Sequence, residues 1–405
     1  MPKAPTQEPG YAWVVVWATF VCLALIFGVA YSFAAFFKSF AAEFSAQRAD
    51  VSMVFGLTGL IYFGFGMGGG ILSDRFGPRL VCGAGMVCIA GGLMAASLAT
   101  TMAGVYLSYG VAIGFGIALV YTPAIGNVLP WFKARRGLAS GIASSGIGLG
   151  TVLVPLLATA AISALDWRSA LRIMSGGVLL VGLVATGVLK RAPLANADAG
   201  AAAGAGPQTP LGATLGEALR DKRFWWFYLF TFTAAPVMFI PFAHVSASAR
   251  DIGISEANAV GLVGLIGAGS LIGRFAIGAL ADRLGRTLTL TLAQVSMAAT
   301  YLLWMVSGAY PALAVFALWF GLSYGGIVSL MPAICMDMFG ARAVSSIVGT
   351  LYSAAALGNL LGPVVAGAVF DRMGSYAPVM WGCLLLSVLA TWSAAQIVRP
   401  QGRVY

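Results

Sequence analysis

Arg274 is the residue whose type and place most need a chemical explanation. It lies in the apolar run Ala268-Gly-Ser-Leu-Ile-Gly-Arg-Phe-Ala-Ile-Gly278, eight positions before Asp282. On a helix rising 1.5 Å per residue, that is about 12 Å from the charged end of the run, farther than a side chain can curl back toward water. A guanidinium near mid-membrane costs roughly 2.5–3.5 kcal/mol on insertion scales, so it must face a bundle interior or a wet cavity. Its planar fork matches a carboxylate bidentately. All thirteen Asp and Glu fall outside the long apolar runs or at their edges, so no acid within a span can neutralise it. An unpaired cation of this kind implies an anion supplied from outside; helix-end carbonyls are the alternative partner. The single histidine, His244, follows Pro236 and Pro241 near the end of another apolar run. Imidazole titrates between pH 5 and 8, so His244 could hold a proton or be simply hydrogen-bonded at the membrane surface.

Holding such groups in place requires helices in lipid. The chain has 405 residues, 60% of them hydrophobic and only 9% charged, with a mean hydropathy of +0.92. Soluble domains carry about 45–50% apolar and about 25% charged residues. The surplus apolar surface must therefore face lipid, which excludes a soluble enzyme, a disordered chain, a coiled coil and a nucleic-acid binder. Apolar runs of about 20 residues or more number twelve, from 11–37 near the start to 376–397 near the end. With both termini on one side, six basic residues (Lys38, Arg48, Arg168, Arg172, Arg250 and Arg372) fall on the other, and sixteen on the terminal side. That excess predicts cytoplasmic termini. The polar first ten residues lead into a span without a small-residue cleavage site, which argues against a removed signal peptide. Cys22, Cys82, Cys88, Cys335 and Cys383 lie in apolar runs with no C-x-x-C pair or neighbouring histidine, so neither a metal site nor a redox pair is expected.

The run at 195–210, ANADAGAAAGAGPQTP, is poor in large apolar residues and reads as a flexible connection. It divides six spans from six. The expected organisation is a six-helix bundle over 1–190, a cytoplasmic linker over 191–222 and a second six-helix bundle over 223–405. The halves repeat: Gly70-Ile-Leu-Ser-Asp74-Arg75-Phe-Gly77-Pro-Arg79 returns as Gly278-Ala-Leu-Ala-Asp282-Arg283-Leu-Gly285-Arg286, and Phe132-Lys-Ala-Arg135 as Phe339-Gly-Ala-Arg342. Asp166-Trp-Arg168 has a weaker echo in Asp371-Arg372. A parallel repeat fits two bundles related by an axis along the membrane normal. Glycine-rich stretches at 64–70 and 146–150 lie inside spans and lack a phosphate-loop lysine, so they read as close helix contacts.

The G-x-x-x-D-R-x-G-x-R loop, present once in full and once shortened, resembles the major facilitator superfamily. Two further stretches resemble its monocarboxylate transporter family. One is Glu8-Pro-Gly-Tyr-Ala-Trp-Val-Val-Val16, which has Pro9 where the family usually has Gly. The other is Trp131-Phe-Lys-Ala-Arg-Arg-Gly-Leu-Ala-Ser-Gly-Ile-Ala-Ser-Ser-Gly146 at the start of span 5. The resemblance implies an all-α membrane protein with twelve transmembrane helices in two pseudo-symmetric six-helix bundles. It gives Arg274 the role of substrate-carboxylate anchor, and it makes spans 1, 4, 7 and 10 the lining of a central path. In animal members span 1 carries a late lysine and span 8 an aspartate one turn before the arginine; those positions are Tyr31 and Ser270 here.

On this reading Arg274 binds the anion, Tyr121, Tyr324 and Ser270 shape its pocket, and Tyr31 and Asn359, with Asn127 and Tyr352, are further candidates. Packing between helices is the plainer role for each aromatic and amide. His244 is the candidate for proton coupling. Asp74, Arg75, Arg79, Asp282, Arg283 and Arg286 sit at span ends, where charges can latch one state of a rocking machine, although the basic bias of the cytoplasmic side also explains the arginines. The expected activity is secondary transport of a small monocarboxylate such as lactate or pyruvate with a proton, by alternating access. The alternatives are an exchanger of the oxalate/formate type and a non-transporting anion sensor. With one histidine and no acid within a span, no catalytic set forms and no cofactor is implied. Expected partners are a carboxylate, protons and the lipid bilayer, with no nucleic acid and no inferable accessory subunit. Short loops suit a bacterial inner membrane.

Overall fold

The computed structural model describes residues 10–132, 136–191, 212–340 and 344–398, with the backbone alone at 67, 74, 129, 136–138, 140, 282, 344–346 and 398. Several sequence features lie outside the described residues: Glu8 and Pro9, positions 133–135 at the start of span 5, the linker run 195–210, and Lys3, Arg342, Arg399 and Arg403.

Twelve helices among the described residues are long and apolar enough to cross a membrane. In the first half they are α1 Gly10–Glu43, α2 Arg48–Phe76, α3 Pro78–Ser97, α4 Met102–Val128, α5 Arg136–Ala164 and α6 Trp167–Gly187. In the second they are α7 Lys222–Asp251, α8 Glu256–Leu284, α9 Arg286–Val306, α10 Tyr310–Phe339, α11 Val344–Met373 and α12 Ala377–Val398. A short helix, Leu215–Arg220, precedes α7, and α4 contains a π-helical stretch at Tyr106–Ile113. The 34 residues of α1 and the 30 of α7, α10 and α11 measure about 45–51 Å, so these helices overshoot a hydrocarbon core of about 30 Å. We call the side where α1 begins and α12 ends the terminal face.

The chain stays helical through Pro123, Pro155, Pro332 and Pro363, because in lipid an unpaired backbone outside a helix costs more than a proline break. These prolines recur between the halves at nearly the spacing of the loop motif. The motif itself is a turn that only glycine adopts easily. Gly77 (φ 92°, ψ 151°) and Gly285 (φ 87°, ψ 142°) each end one helix and start the next, in the same left-handed conformation. Their N–H groups close back on Ser73 and Ala281. Asp166 caps α6, as turn chemistry favours. Hydrogen bonds from the Ser169 hydroxyl and from the backbone N–H groups of Ser169 and Arg168 hold its carboxyl below the usual carboxylate range, and the charge of Arg172 adds to the effect.

Within the first bundle α1 lies along α5, and within the second α8 lies along α10; between bundles α2 meets α11 and α5 meets α8. Small residues let these backbones touch. Gly146 and Gly150 face the backbone of Phe20 and Ala24, and Gly273 and Gly325 bring α8 and α10 together at Leu322 and Ser270. The glycine-rich stretch at 64–70 is only partly of this kind. Gly69 meets the backbone of Ala118, but Gly64 and Gly68 face open space, so composition overstated the packing there.

A side chain at Gly325 would overlap the Ser270 backbone, and overpacking of this kind costs about 1–3 kcal/mol. Gly325→Val should lower the melting temperature of the purified protein in detergent. An unchanged midpoint would mean that α8 and α10 do not approach as described.

Candidate functional site

Eight helices meet around a central cavity, α1, α2, α4 and α5 from one bundle and α7, α8, α10 and α11 from the other. The remaining four helices contribute nothing to its wall. Its volume is about 50 Å³ for the centres of water-sized solutes, where a single water needs about 10–15 Å³. The space suits a solute of a few heavy atoms. Phe27, Phe63, Phe239, Met238, Met331, Val328 and Ile147 make most of the wall apolar, and Tyr62, Tyr121, Tyr324, Tyr352 and Thr231 bring hydroxyls to it.

Arg274 is the one cation among the described residues of this wall. The glycine contacts of α8 with α10 on either side of it set its position. The side chain is half-buried, and its Nε is buried without a hydrogen-bond partner. The ion pairs among the described residues are Arg48–Asp251, Arg168–Glu43, Arg223–Asp221, Arg250–Glu256 and Arg286–Asp337, none of which involves Arg274. The phenols of Tyr31, Tyr121, Tyr324 and Tyr352 lie within its electrostatic reach. A positive fork surrounded by hydroxyl donors can hold a carboxylate by charge-assisted hydrogen bonds, with apolar walls around the rest of the molecule.

An aromatic layer separates the cavity from the face opposite the termini. Tyr31 of α1 and Tyr324 of α10 join hydroxyls at 3.1 Å, and Tyr31 stacks on Phe242 of α7 with centroids 4.2 Å apart. The polar bridges between bundles lie on this side as well. Arg48 pairs with Asp251, Ser52 with His244, and the Asn359 amide with the carbonyls of Phe55 and Gly56. The cavity is closed toward the opposite face.

Residues 19–363 match the profile described as Major Facilitator Superfamily. Over 391 residues the chain is 31% identical to monocarboxylate transporter 13 of Bos taurus, covering 95% of this chain and 89% of that one. Over 394 residues it is 32% identical to monocarboxylate transporter 13 of Rattus norvegicus, covering 94% and 89%. The chain belongs to the monocarboxylate transporter family of the Major Facilitator Superfamily. It is a multi-pass membrane transporter and not an enzyme. A solved bacterial homologue of the human lysosomal transporter Spinster, in an inward-facing and occupied conformation, shares the fold at a TM-score of 0.72 and 16% identity, over 96% of this chain and 97% of that one.

In this monocarboxylate transporter family member, the residues singled out from sequence do not all meet. Arg274, Tyr121, Tyr324 and Tyr352 share the cavity wall, and Tyr31 stands behind it, bonded to Tyr324. Ser270 lies one turn from Arg274 but is buried against Gly325, outside the lining. Asn359 is spent on α2: its amide donates to the Phe55 and Gly56 carbonyls at 3.3 and 3.4 Å, in a notch left open by Gly59. Asn127 likewise donates to the Lys190 carbonyl. His244 is fully buried between the bundles near the opposite face, away from the cavity. Arg75, Arg79 and Arg283 are exposed on the terminal side. Arg286 pairs with Asp337 inside one bundle, so it does not bridge the two. The side chains of Asp74 and Asp282 lie outside the described set.

Sequence reading missed Phe27, Tyr62, Phe63 and the α7 stripe of Thr231, Ala235, Met238 and Phe239. Their helical spacing was visible, as it is for Tyr324, Val328 and Met331 on α10. It also missed the pairing of Arg48 with Asp251 across the bundles.

Cysteine placed at Val328 should react with a small, charged, membrane-impermeant thiol reagent, and cysteine placed at Ser270 should not. Equal labelling of the two would put Ser270 in the cavity.

Proposed function

We propose that this chain carries a small monocarboxylate of the lactate or pyruvate class across a membrane together with a proton, by alternating access of its two bundles. The observation that supports this reading above the others is Arg274: a cation on the wall between bundles, with a buried partnerless Nε and no carboxylate paired to it among the described residues. A bare guanidinium resists being closed into a low-dielectric cavity. Its pair with a carboxylate is nearly neutral and resists far less, so bound cargo speeds the rocking of the bundles. Tyr121, Tyr324 and Tyr352 give hydrogen bonds to the carboxylate or to an adjacent oxygen, and Phe27, Met238 and Met331 limit the length of the acid's carbon chain. The small cavity favours short acids. Because the lining offers a single cation, one carboxylate per molecule fits better than two. The names of the relatives point the same way.

The excess of basic residues on the terminal face supports cytoplasmic termini in a bacterial inner membrane. The opposite face, joined by the Tyr31–Tyr324 bond and the Arg48–Asp251 pair, is then the outer face. Reaching the outward state breaks the Tyr31–Tyr324 bond and slides Tyr31 off Phe242. The described lining offers no carboxylate for a proton, and His244 is the group we assign to couple to one.

Uptake of labelled lactate into proteoliposomes tests the reading. Losing a hydrogen bond to a charged group costs about 1.5–3 kcal/mol, so Arg274→Gln should slow uptake by roughly ten- to a hundredfold. Arg274→Lys keeps the charge without the fork and should fall between that and wild type. Uptake by Arg274→Gln at the wild-type rate overturns the reading, and faster counterflow of oxalate than of lactate would replace the monocarboxylate by a dicarboxylate.

A further inference from the structure

Near the opposite face, four elements meet in a hydrogen-bonded clasp that joins the bundles. Arg48, at the start of α2, grips Asp251, at the end of α7, with both terminal nitrogens. Its Nη1 also donates to the Tyr376 hydroxyl at 2.8 Å, and its guanidinium lies 3.7 Å over the Phe370 ring. Asp371, at the end of α11, accepts the backbone N–H groups of Arg48 and Ala49 at 3.0 and 2.9 Å. One bundle thus caps a helix of the other.

His244 sits at the centre of this clasp, and its partners determine its protonation state. The Pro363 carbonyl, 2.8 Å from Nε2, can only accept, so Nε2 carries a hydrogen. The Ser52 hydroxyl, 3.1 Å away, gives its own hydrogen to the Arg48 carbonyl at 2.6 Å, so it too accepts from Nε2. Tyr376, whose oxygen already accepts from Arg48, turns its hydrogen to Nδ1 at 2.9 Å. Each group is satisfied only if Nδ1 has a free lone pair, that is, if the ring is neutral. A proton on Nδ1 would point at the Tyr376 oxygen that Arg48 already donates to. It would orphan the phenolic hydrogen in a buried site and set an imidazolium beside a guanidinium. The charges around the ring are Arg48 from α2, Asp371 from α11 and, beyond Arg48, Asp251 and Arg250 of its own helix with Lys38 of α1. Both carboxylates are engaged, one by Arg48 and one by the α2 backbone. From α1 the Phe37 ring packs against the imidazole.

We infer that the proton-binding site of the transport cycle is His244 Nδ1 in this clasp, outside the substrate cavity, and that Tyr376 is the positioning residue that makes closure of the opposite face and protonation mutually exclusive. The inference rests on the alternating-access reading and on no particular cargo. Opening the clasp exposes the ring to water, where an imidazole titrates near pH 6.5. The closed state takes no proton and the open state takes one, so closure is favoured above that pH and is lost as pH falls. Acid on the opposite face opens it. The direction suits inward transport with a proton.

The test is double electron–electron resonance without substrate, in nanodiscs, between spin labels at Ala42→Cys and Ala257→Cys, with Cys88 replaced by Ala. The open-to-closed ratio in otherwise unaltered protein should rise by up to about tenfold per pH unit below about pH 6.5. His244→Gln, whose amide can give and accept the same bonds, should stay closed and lose the response. Tyr376→Phe should open more at pH 8 and move the midpoint upward. A pH response that persists in His244→Gln, a Tyr376→Phe midpoint that does not move, or no response in the parent protein overturns the proposal. Lactate uptake by a protein with pH-independent opening would sink the clasp but not the cargo, and pH-driven opening without lactate uptake would do the reverse.

Discussion

A guanidinium on the wall between two membrane-spanning bundles, with no counter-charge paired to it among the described residues, is the constraint around which this transporter is organised. Its insertion is costly in any bilayer, and the fold accepts the cost by seating Arg274 on the wall between two bundles, where phenols surround it. The support is mechanical. Gly273 against Leu322 and Gly326 against Ile277 bring α8 and α10 together on either side of the arginine, so the charged group projects from a doubled wall.

The ionisable groups are sorted into two zones. The cavity holds one cation and no described carboxylate, and the acids that make ion pairs lie toward the two faces. Between the cavity and the clasp stands the layer of Tyr31, Phe242 and Tyr324, which insulates one charged cluster from the other. Packed aromatic contacts and a single hydroxyl bond hold this layer. Such contacts are lost as a unit when bundles separate, because close-packed interfaces are bistable and not elastic. The clasp lies beyond that layer, at the face opposite the termini.

Pseudo-symmetry reaches further in backbone than in chemistry. Gly77 and Gly285 share one turn geometry, and prolines recur inside α4 and α10 and inside α5 and α11. The charged residues do not repeat in the same way. Asp166 caps its own downstream helix, whereas Asp371, its weak echo, caps a helix of the opposite bundle. The two halves share a scaffold and put similar residues to different uses.

Twelve spans, the two-fold repeat and the isolation of Arg274 were legible without coordinates. Lipid cannot satisfy a backbone or a charge, so length, apolarity and the position of each ionisable residue carry those conclusions directly. Family membership was legible for a similar reason, in the short loop and span-start motifs. The faces of the helices were not. In lipid an apolar side chain suits the bilayer and a neighbouring helix equally well, so no amphipathic stripe marks the inward side. Tyr324 and Ser270 therefore looked alike as pocket candidates, and only helix rotation separates one on the wall from one buried against Gly325. Asn359 and His244 were likewise recognisable as polar groups in need of partners, but the partners, Phe55 and Gly56 for one and Pro363, Tyr376 and Ser52 for the other, come from distant parts of the chain. The sequence by itself determined which groups lipid would refuse to leave bare. Tertiary packing alone decided where each finds its hydrogen bonds, because contacts between backbones set the rotation of every helix.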